Sequence, residues 1–456
     1  MAPHRSYYLD NLRTALTVLV IYHHTAIPYG GLGSWPYPPP SPSSHASSPH
    51  PPSLPLACFN LVNQTYFMAT FFLLSGYFSA LTVSRKKSRW VWMGEKWRRL
   101  GVPTILYSVF GPAVVRGVIT TTTIVLRNGD RSGGGGDGKG RINGDLERVI
   151  QEVWSGLWEW YEKGGVQGPV WYCAVLLVFD MFYAAICPRD FVFEPRLTPI
   201  STSISTHATA NRVAPGEHIR LLVAENDGGG EERTQNEHAK KQRGPSTRMV
   251  LMAVCLSSTT AFFLRVPYPL GTGVFALLNL RVGYMPQYIL FYSTGLAAYR
   301  YWDVELHFVV SKQTRVLLLA WLLAIGLSWI LVLRNTLADV KDVLEGSDGG
   351  INTFALLYAF GNEVSGVLIS SGSLALFKTK FDRKWIVGGV DLTRHSYAAF
   401  LLHPPCLVFL QCVLDGWNAG GVLKTVVVGS LGTVVTWVTG WVLVQAVGSL
   451  GFRGYV

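Results

Sequence analysis

Apolar residues run along this chain in long blocks, and polar residues gather between them. The blocks lie at 9–28, 58–83, 101–120, 168–187, 249–265, 285–300, 315–333, 351–377, 395–414 and 422–447. A hydrocarbon core of about 30 Å takes roughly 20 apolar residues of helix, and lipid cannot satisfy the backbone groups of an open strand. The pattern predicts an all-α fold, a polytopic transmembrane helix bundle of about ten spans. The third, fifth and sixth blocks are short or interrupted by Gly and Pro. Three polar stretches read as insertions. Residues 33–56 are rich in Pro and Ser, 127–146 include the flexible tether SGGGGDGKG, and 189–248 form a polar loop of mixed charge. The first cannot bury enough apolar surface to fold alone. The glycine run has no preceding strand and no closing GK[ST], so it is not a phosphate loop.

Composition agrees with the pattern. The chain is 49% hydrophobic and 15% charged, with a mean hydropathy of +0.26, whereas soluble domains carry roughly 25% charged residues. Fifteen Trp and twenty Tyr supply interfacial anchors. A net charge of +11 could suit nucleic acid. Here the basic residues cluster in loops between spans, so the expected partner is the lipid bilayer and no nucleic acid. With the N-terminus cytosolic, most of the 39 Lys and Arg fall on the inner side, and RKKSRWVWMGEKWRR is the strongest vote. An even number of spans then puts both termini in the cytosol, in either the plasma membrane or an endomembrane. The opening block is read as a retained helix, because Asp10 and Arg13 interrupt it and no A-x-A-like cleavage site follows. The six cysteines show no C-x-x-C pair and no metal spacing; they read as small buried hydrophobes, with no metal site expected. The one sequon, Asn63-Gln64-Thr65, lies in or beside a span, which argues against glycosylation.

The first block carries the candidate chemistry. LDNLRTALTVLVIYHHTAI contains Asp10, Arg13, His23 and His24. An arginine or aspartate at the bilayer centre costs about 2.5–3.5 kcal/mol on insertion scales, so such residues turn to a bundle interior. Arg13 and His24 are eleven residues apart, about 20° from a whole number of turns and about 16 Å along the axis. One helix face therefore presents an anion-binding group and a titratable base. His403 in AAFLLHPP is a possible second functional histidine, or a residue fixing a kinked helix. Ser75 in LLSGYF has no neighbouring base and reads as small-residue packing around Gly76. Asp180 and Glu363 are intramembrane acids without assignable partners. His45, His50, His207, His218 and His238 lie in polar loops and read as solvated. Intramembrane charges also mark transporters and channels, the alternative class. No internal repeat between 1–187 and 249–447 supports that alternative.

RSYYLDNLRTALTVLVIYHHTA resembles the opening of the acyltransferase 3 family, membrane enzymes that O-acylate sugars and other hydroxyl compounds. The family's signature of an arginine, ten residues and a histidine is matched by Arg13 and His24. The resemblance continues through FMATFFLLSGYFSA, WRRLGVP (97–103), GPVWYCAVLLVFDMFY (168–183), MPQYILFYSTGLAAYR (285–300) and SYAAFLLHPPCLVF (396–409). It implies a single acyltransferase 3 membrane domain over 1–456, interrupted by the three insertions. The 33–56 loop and the HHTAIPYGG wording resemble fungal members. The family's R-x-x-R pair has its equivalent in Lys96-x-x-Arg99 with Arg98 between, and lysine lacks the planar fork that suits phosphate.

The resemblance implies acyl-CoA as co-substrate, acetyl-CoA by default, with no cofactor bound permanently. The acceptor is a hydroxyl of a carbohydrate or small metabolite. Such a transfer needs a base, and His24 is the natural one, with His23 a neighbour 100° away. The carrier's phosphates need cations, and Arg13, Lys96, Arg98 and Arg99 all face the cytosolic end. Their competing readings are ordinary ones: Arg13 as a snorkelling side chain, residues 96–99 as an orienting charge run.

Overall fold

The structure, a computed structural model, describes residues 6–37, 53–83, 86, 88–129, 138–163, 165–166, 168–186, 244–275, 278–301, 310–336 and 340–451. Cys187, the five loop histidines named above, most of the 189–248 loop and the C-terminal residues after 451 lie outside the described residues.

Among the described residues there are thirteen α-helices. They are α1 (Tyr7–Ala26), α2 (Leu54–Val83), α3 (Arg89–Lys96), α4 (Val102–Gly129), α5 (Gly138–Lys163), α6 (Trp171–Ile186) and α7 (Thr247–Leu264). Then come α8 (Met285–Arg300), α9 (Lys312–Thr336), α10 (Val340–Asp348), α11 (Thr353–Lys380), α12 (Leu392–Val413) and α13 (Gly421–Ser449). The described strands are two short ones, β1 (Ile386–Val387) and β2 (Val390–Asp391), paired in an antiparallel hairpin before α12.

Each of the ten expected spans has its helix. Eight are long and apolar enough to cross a membrane. The two others are α1 and α8. Helix α1 has 20 residues, but Asp10, Arg13, His23 and His24 lower its hydropathy. It tolerates them because it is the inner helix, packed against α2, α11, α12 and α13. Helix α8 has 16 residues, about 24 Å of rise, short of a full hydrocarbon core. It lies instead against α2, backbone to backbone. A Cβ added to Gly76 would stand 2.1 Å from the Tyr292 carbonyl oxygen, and one added to Gly295 would stand 2.1 Å from that of Leu73. Only glycine permits this approach, which is how small residues pack helices in lipid. Outward, α9 shows Leu319, Leu323, Leu327 and Ile330, an apolar face suited to acyl chains.

Polar groups inside α1 are satisfied locally. Thr14, Thr17 and Thr25 donate to carbonyls one turn back at 3.0, 3.1 and 2.8 Å. Asn11 donates to the Phe381 and Arg383 carbonyls, both at 2.6 Å, and pins the start of α1 to the turn after α11.

Three stretches differ from the sequence expectation. The 127–146 segment is not a tether throughout: residues 127–129 end α4 and 138–146 open α5, with 130–137 outside the described residues. Helix α5 is amphipathic and lies along α4, where Gly156 approaches the Ala113 backbone and Arg116 pairs with Glu159 at 2.7 Å. A glycine run read for its flexibility hid the periodic stretch behind it. The basic loop 84–99 is largely helical, because Ser88 caps α3 by accepting from the Trp90 amide at 3.2 Å. The described part of the 33–56 insertion is anchored: Tyr37 is buried and its hydroxyl donates to Asp415, and residues 54–56 already belong to α2.

Candidate active site

Two histidines from opposite ends of the chain meet inside the bundle. His24, in the last turn of α1, and His403, in the middle of α12, have ring centroids 5.1 Å apart. Each ring is fixed by its own helix: His24 Nδ1 lies 2.9 Å from the Val20 carbonyl oxygen, and His403 Nδ1 lies 2.7 Å from that of Phe400. A carbonyl only accepts, so in each neutral ring Nδ1 carries the proton and Nε2 is left with its lone pair. In His403 that Nε2 is buried and has no hydrogen-bond partner among the described residues. Pro404 and Pro405 follow directly inside α12. Proline supplies no amide hydrogen, which leaves nearby carbonyls such as that of Phe400 able to accept from a side chain.

A third ring closes the group. Trp35 lies 4.7 Å from His24 and 6.1 Å from His403, nearly parallel to the latter. Its Nε1 donates to Gln411 Oε1 at 2.8 Å, about two helical turns beyond the histidine on α12. His23 turns away from the pair. It stacks on Phe67 at 5.1 Å and meets His24 edge-on at 5.5 Å.

Arg13 sits on the same helix about 16 Å away along α1. Its guanidinium is about one-third exposed, 3.2 Å from Asp10, and 5.7 Å over the Phe78 ring. Between this pole and the histidines stands a buried aromatic cluster. Phe71, Tyr172 and Phe400 stand 5.6–6.1 Å from one another, and Phe400 is 5.9 Å from His403. The Tyr172 hydroxyl is within hydrogen-bond distance of Ser75 Oγ at 2.6 Å and within electrostatic reach of Arg13.

The acyltransferase 3 family model, an acyltransferase domain, matches residues 6–443. The chain belongs to this family. No curated protein and no solved structure matches it. The match takes in α1 to α12 of this acyltransferase and most of α13.

The enzyme does not treat the four expected cations alike. Arg98 and Arg99 are exposed on a π-helical turn, Trp97–Gly101, that joins α3 to α4. Arg99 lies 5.7 Å over the Tyr397 ring, and the Tyr397 hydroxyl donates to the Arg99 carbonyl at 2.7 Å. Lys96 points elsewhere, into an ion pair with Asp180 at 3.0 Å. That pair supplies the partner the sequence left unassigned for Asp180. Glu363, the other intramembrane acid, lies on α11 and accepts from Ser257 of α7 at 2.9 Å.

Sequence reasoning missed Trp35, because a Pro- and Ser-rich run was read as one unit. A signal was present: Trp35 and Tyr37 are the sole aromatic residues in 33–56, and both are the ones the bundle holds. It also missed Gln411 and Tyr397, which nothing but the folded chain brings to the site.

Proposed function

We propose that this acyltransferase moves an acyl group, acetyl by default, from acyl-CoA to a hydroxyl of a carbohydrate or small metabolite. The single observation that carries the reading is the His24 ring, held by the Val20 carbonyl so that Nε2 is its basic nitrogen, facing His403 inside the bundle. The acceptor hydroxyl donates to His24 Nε2, and the His403 ring borders it. The hydroxyl oxygen attacks the thioester carbonyl carbon as its proton passes to His24. The carbon–sulfur bond then breaks, the new ester leaves, and the proton is returned to the departing CoA thiolate. General base catalysis of this kind is worth about 10²–10⁴ in rate.

Arg13, Arg98 and Arg99 are the cations proposed to hold the donor's phosphates, since guanidinium matches phosphate oxygens in pairs. With the start of α1 on the cytosolic side, cytosolic acyl-CoA reaches them directly. Its pantetheine arm runs beside the Phe71, Tyr172 and Phe400 rings toward the histidines, and the roughly 16 Å between Arg13 and His24 is the length that arm covers. Membership of an acyltransferase family sets the transporter reading aside.

The test uses the host cell. Deleting the gene and comparing metabolites and wall polysaccharides by mass spectrometry should reveal one class of compound lighter by one acyl mass. Wild-type chain should restore that mass, and Arg13→Ala should restore it only when acyl-CoA is raised. A deletion that changes no acylated compound would refute the proposed activity.

A further inference from the structure

Lys96 turns its ammonium into the bundle, onto a buried carboxylate. Its ammonium lies 3.0 Å from Asp180 Oδ2, donates to Ser79 Oγ at 2.9 Å, and stands 5.2 Å over the Trp92 ring. Asp180 is fully buried. Its other oxygen accepts from Ser79 Oγ at 2.6 Å and from the Tyr292 hydroxyl at 2.7 Å. One carboxylate thus gathers α2, α3, α6 and α8 at a single point. The transfer reaction sketched above uses none of these groups.

The chain changes helical form immediately after Lys96. In a regular α-helix Lys96 and Arg99, three residues apart, would lie on neighbouring faces and look into the same space. The π-helical turn Trp97–Gly101 inserts a residue into that repeat and swings Arg98 and Arg99 away from the direction Lys96 takes. Such turns are rare and are frequent at functional sites. This one is held at both ends. The ion pair anchors it before Trp97, and the Tyr397 hydroxyl holds the Arg99 carbonyl from α12, six residues ahead of His403. It also depends on Gly101, where a Cβ would stand 2.9 Å from the Trp97 indole.

We propose that Lys96 and Asp180 form a positioning pair that locks the π-helical turn so that Arg98 and Arg99 face the phosphates of the acyl-CoA donor, and that Lys96 itself does not bind the donor. The proposal rests on the acyl-CoA reading. Its energetic logic is that of a buried pair. Removing one partner strands a charge in the bundle, whereas removing both leaves a neutral site of similar shape.

The experiment measures coenzyme A binding by calorimetry and the KM and kcat for acetyl-CoA, on the full chain purified in lipid nanodiscs. Arg99→Ala should weaken coenzyme A binding about tenfold or more, the loss of a charge-assisted contact. Lys96→Met should raise the KM for acetyl-CoA with kcat nearly intact. The double variant Lys96→Met with Asp180→Asn should return to within about threefold of wild type, because the stranded carboxylate is gone. Tyr292→Phe, which touches Asp180 and no donor group, should raise the KM about threefold without lowering kcat; a merely structural role would lower the amount of active enzyme and leave KM alone. If the double variant binds coenzyme A as weakly as Arg99→Ala, Lys96 is a phosphate ligand and the pair is refuted. Should the double variant fail to fold, an unchanged KM in Tyr292→Phe refutes it equally. Wild-type chain that does not bind coenzyme A overturns the donor reading, and the positioning role falls with it.

Discussion

If His24 and His403 work as one unit, removing both should cost no more than removing His24 alone. The perturbations are His24→Ala, His403→Ala and the double variant. The rings are 5.1 Å apart between centroids and share the Trp35 face, so neither can be lost without altering what the other faces. For His24→Ala the expected fall is about 10²–10⁴ in turnover, or about 3–5 kcal/mol of transition-state stabilisation. His403→Ala should fall by about tenfold to a hundredfold, the cost of a looser fit around the reacting hydroxyl. Groups that act together are strongly non-additive, so the double variant should be no worse than His24→Ala. The assay is the acylated product in a deletion strain carrying each variant, quantified by mass spectrometry and normalised to the protein present in membranes. Losses that multiply across the two sites would show that the histidines act independently, and the shared-site reasoning would be wrong. A His24→Ala strain that keeps full product would remove the proposed base altogether.

Two further perturbations probe the frame around the site. Trp35→Ala removes the ring that borders both histidines and the bond to Gln411; product formation should drop about tenfold while coenzyme A binding in nanodiscs is unchanged, and parallel loss of both would mean Trp35 serves the donor end. Gly295→Val puts side-chain atoms where a Cβ alone stands 2.1 Å from the Leu73 carbonyl oxygen, so α2 and α8 must separate; overpacking at such a contact costs about 1–3 kcal/mol. A lowered melting temperature in detergent is expected, and an unchanged one would contradict the close approach.

The sequence by itself determined the class of the fold and most of its elements. Blocks of apolar residues long enough to span lipid have one cheap backbone solution, the helix, and that constraint is local. It holds for α2, α9 and α13 without knowledge of any neighbour. The same logic marked Arg13 and His24, because a charge in an apolar run must be turned inward and eleven residues bring two side chains to one face. Small-residue packing at Gly76 was legible for a similar reason, since glycine in a span signals close approach.

Only the tertiary structure decided which polar groups meet. His24 and His403 are separated by most of the chain, and no periodicity relates them. Their pairing exists because α1 is packed against α12. The division of Lys96 from Arg99 was equally hidden, since a charge run says nothing of a π-helical turn or of a buried carboxylate on α6. Trp35 was masked by its polar neighbours and is placed by Gln411 on another helix. Apolar burial acts on each segment as it leaves water, whereas a hydrogen bond or ion pair needs both partners at about 3 Å, and that distance is a property of the assembled bundle.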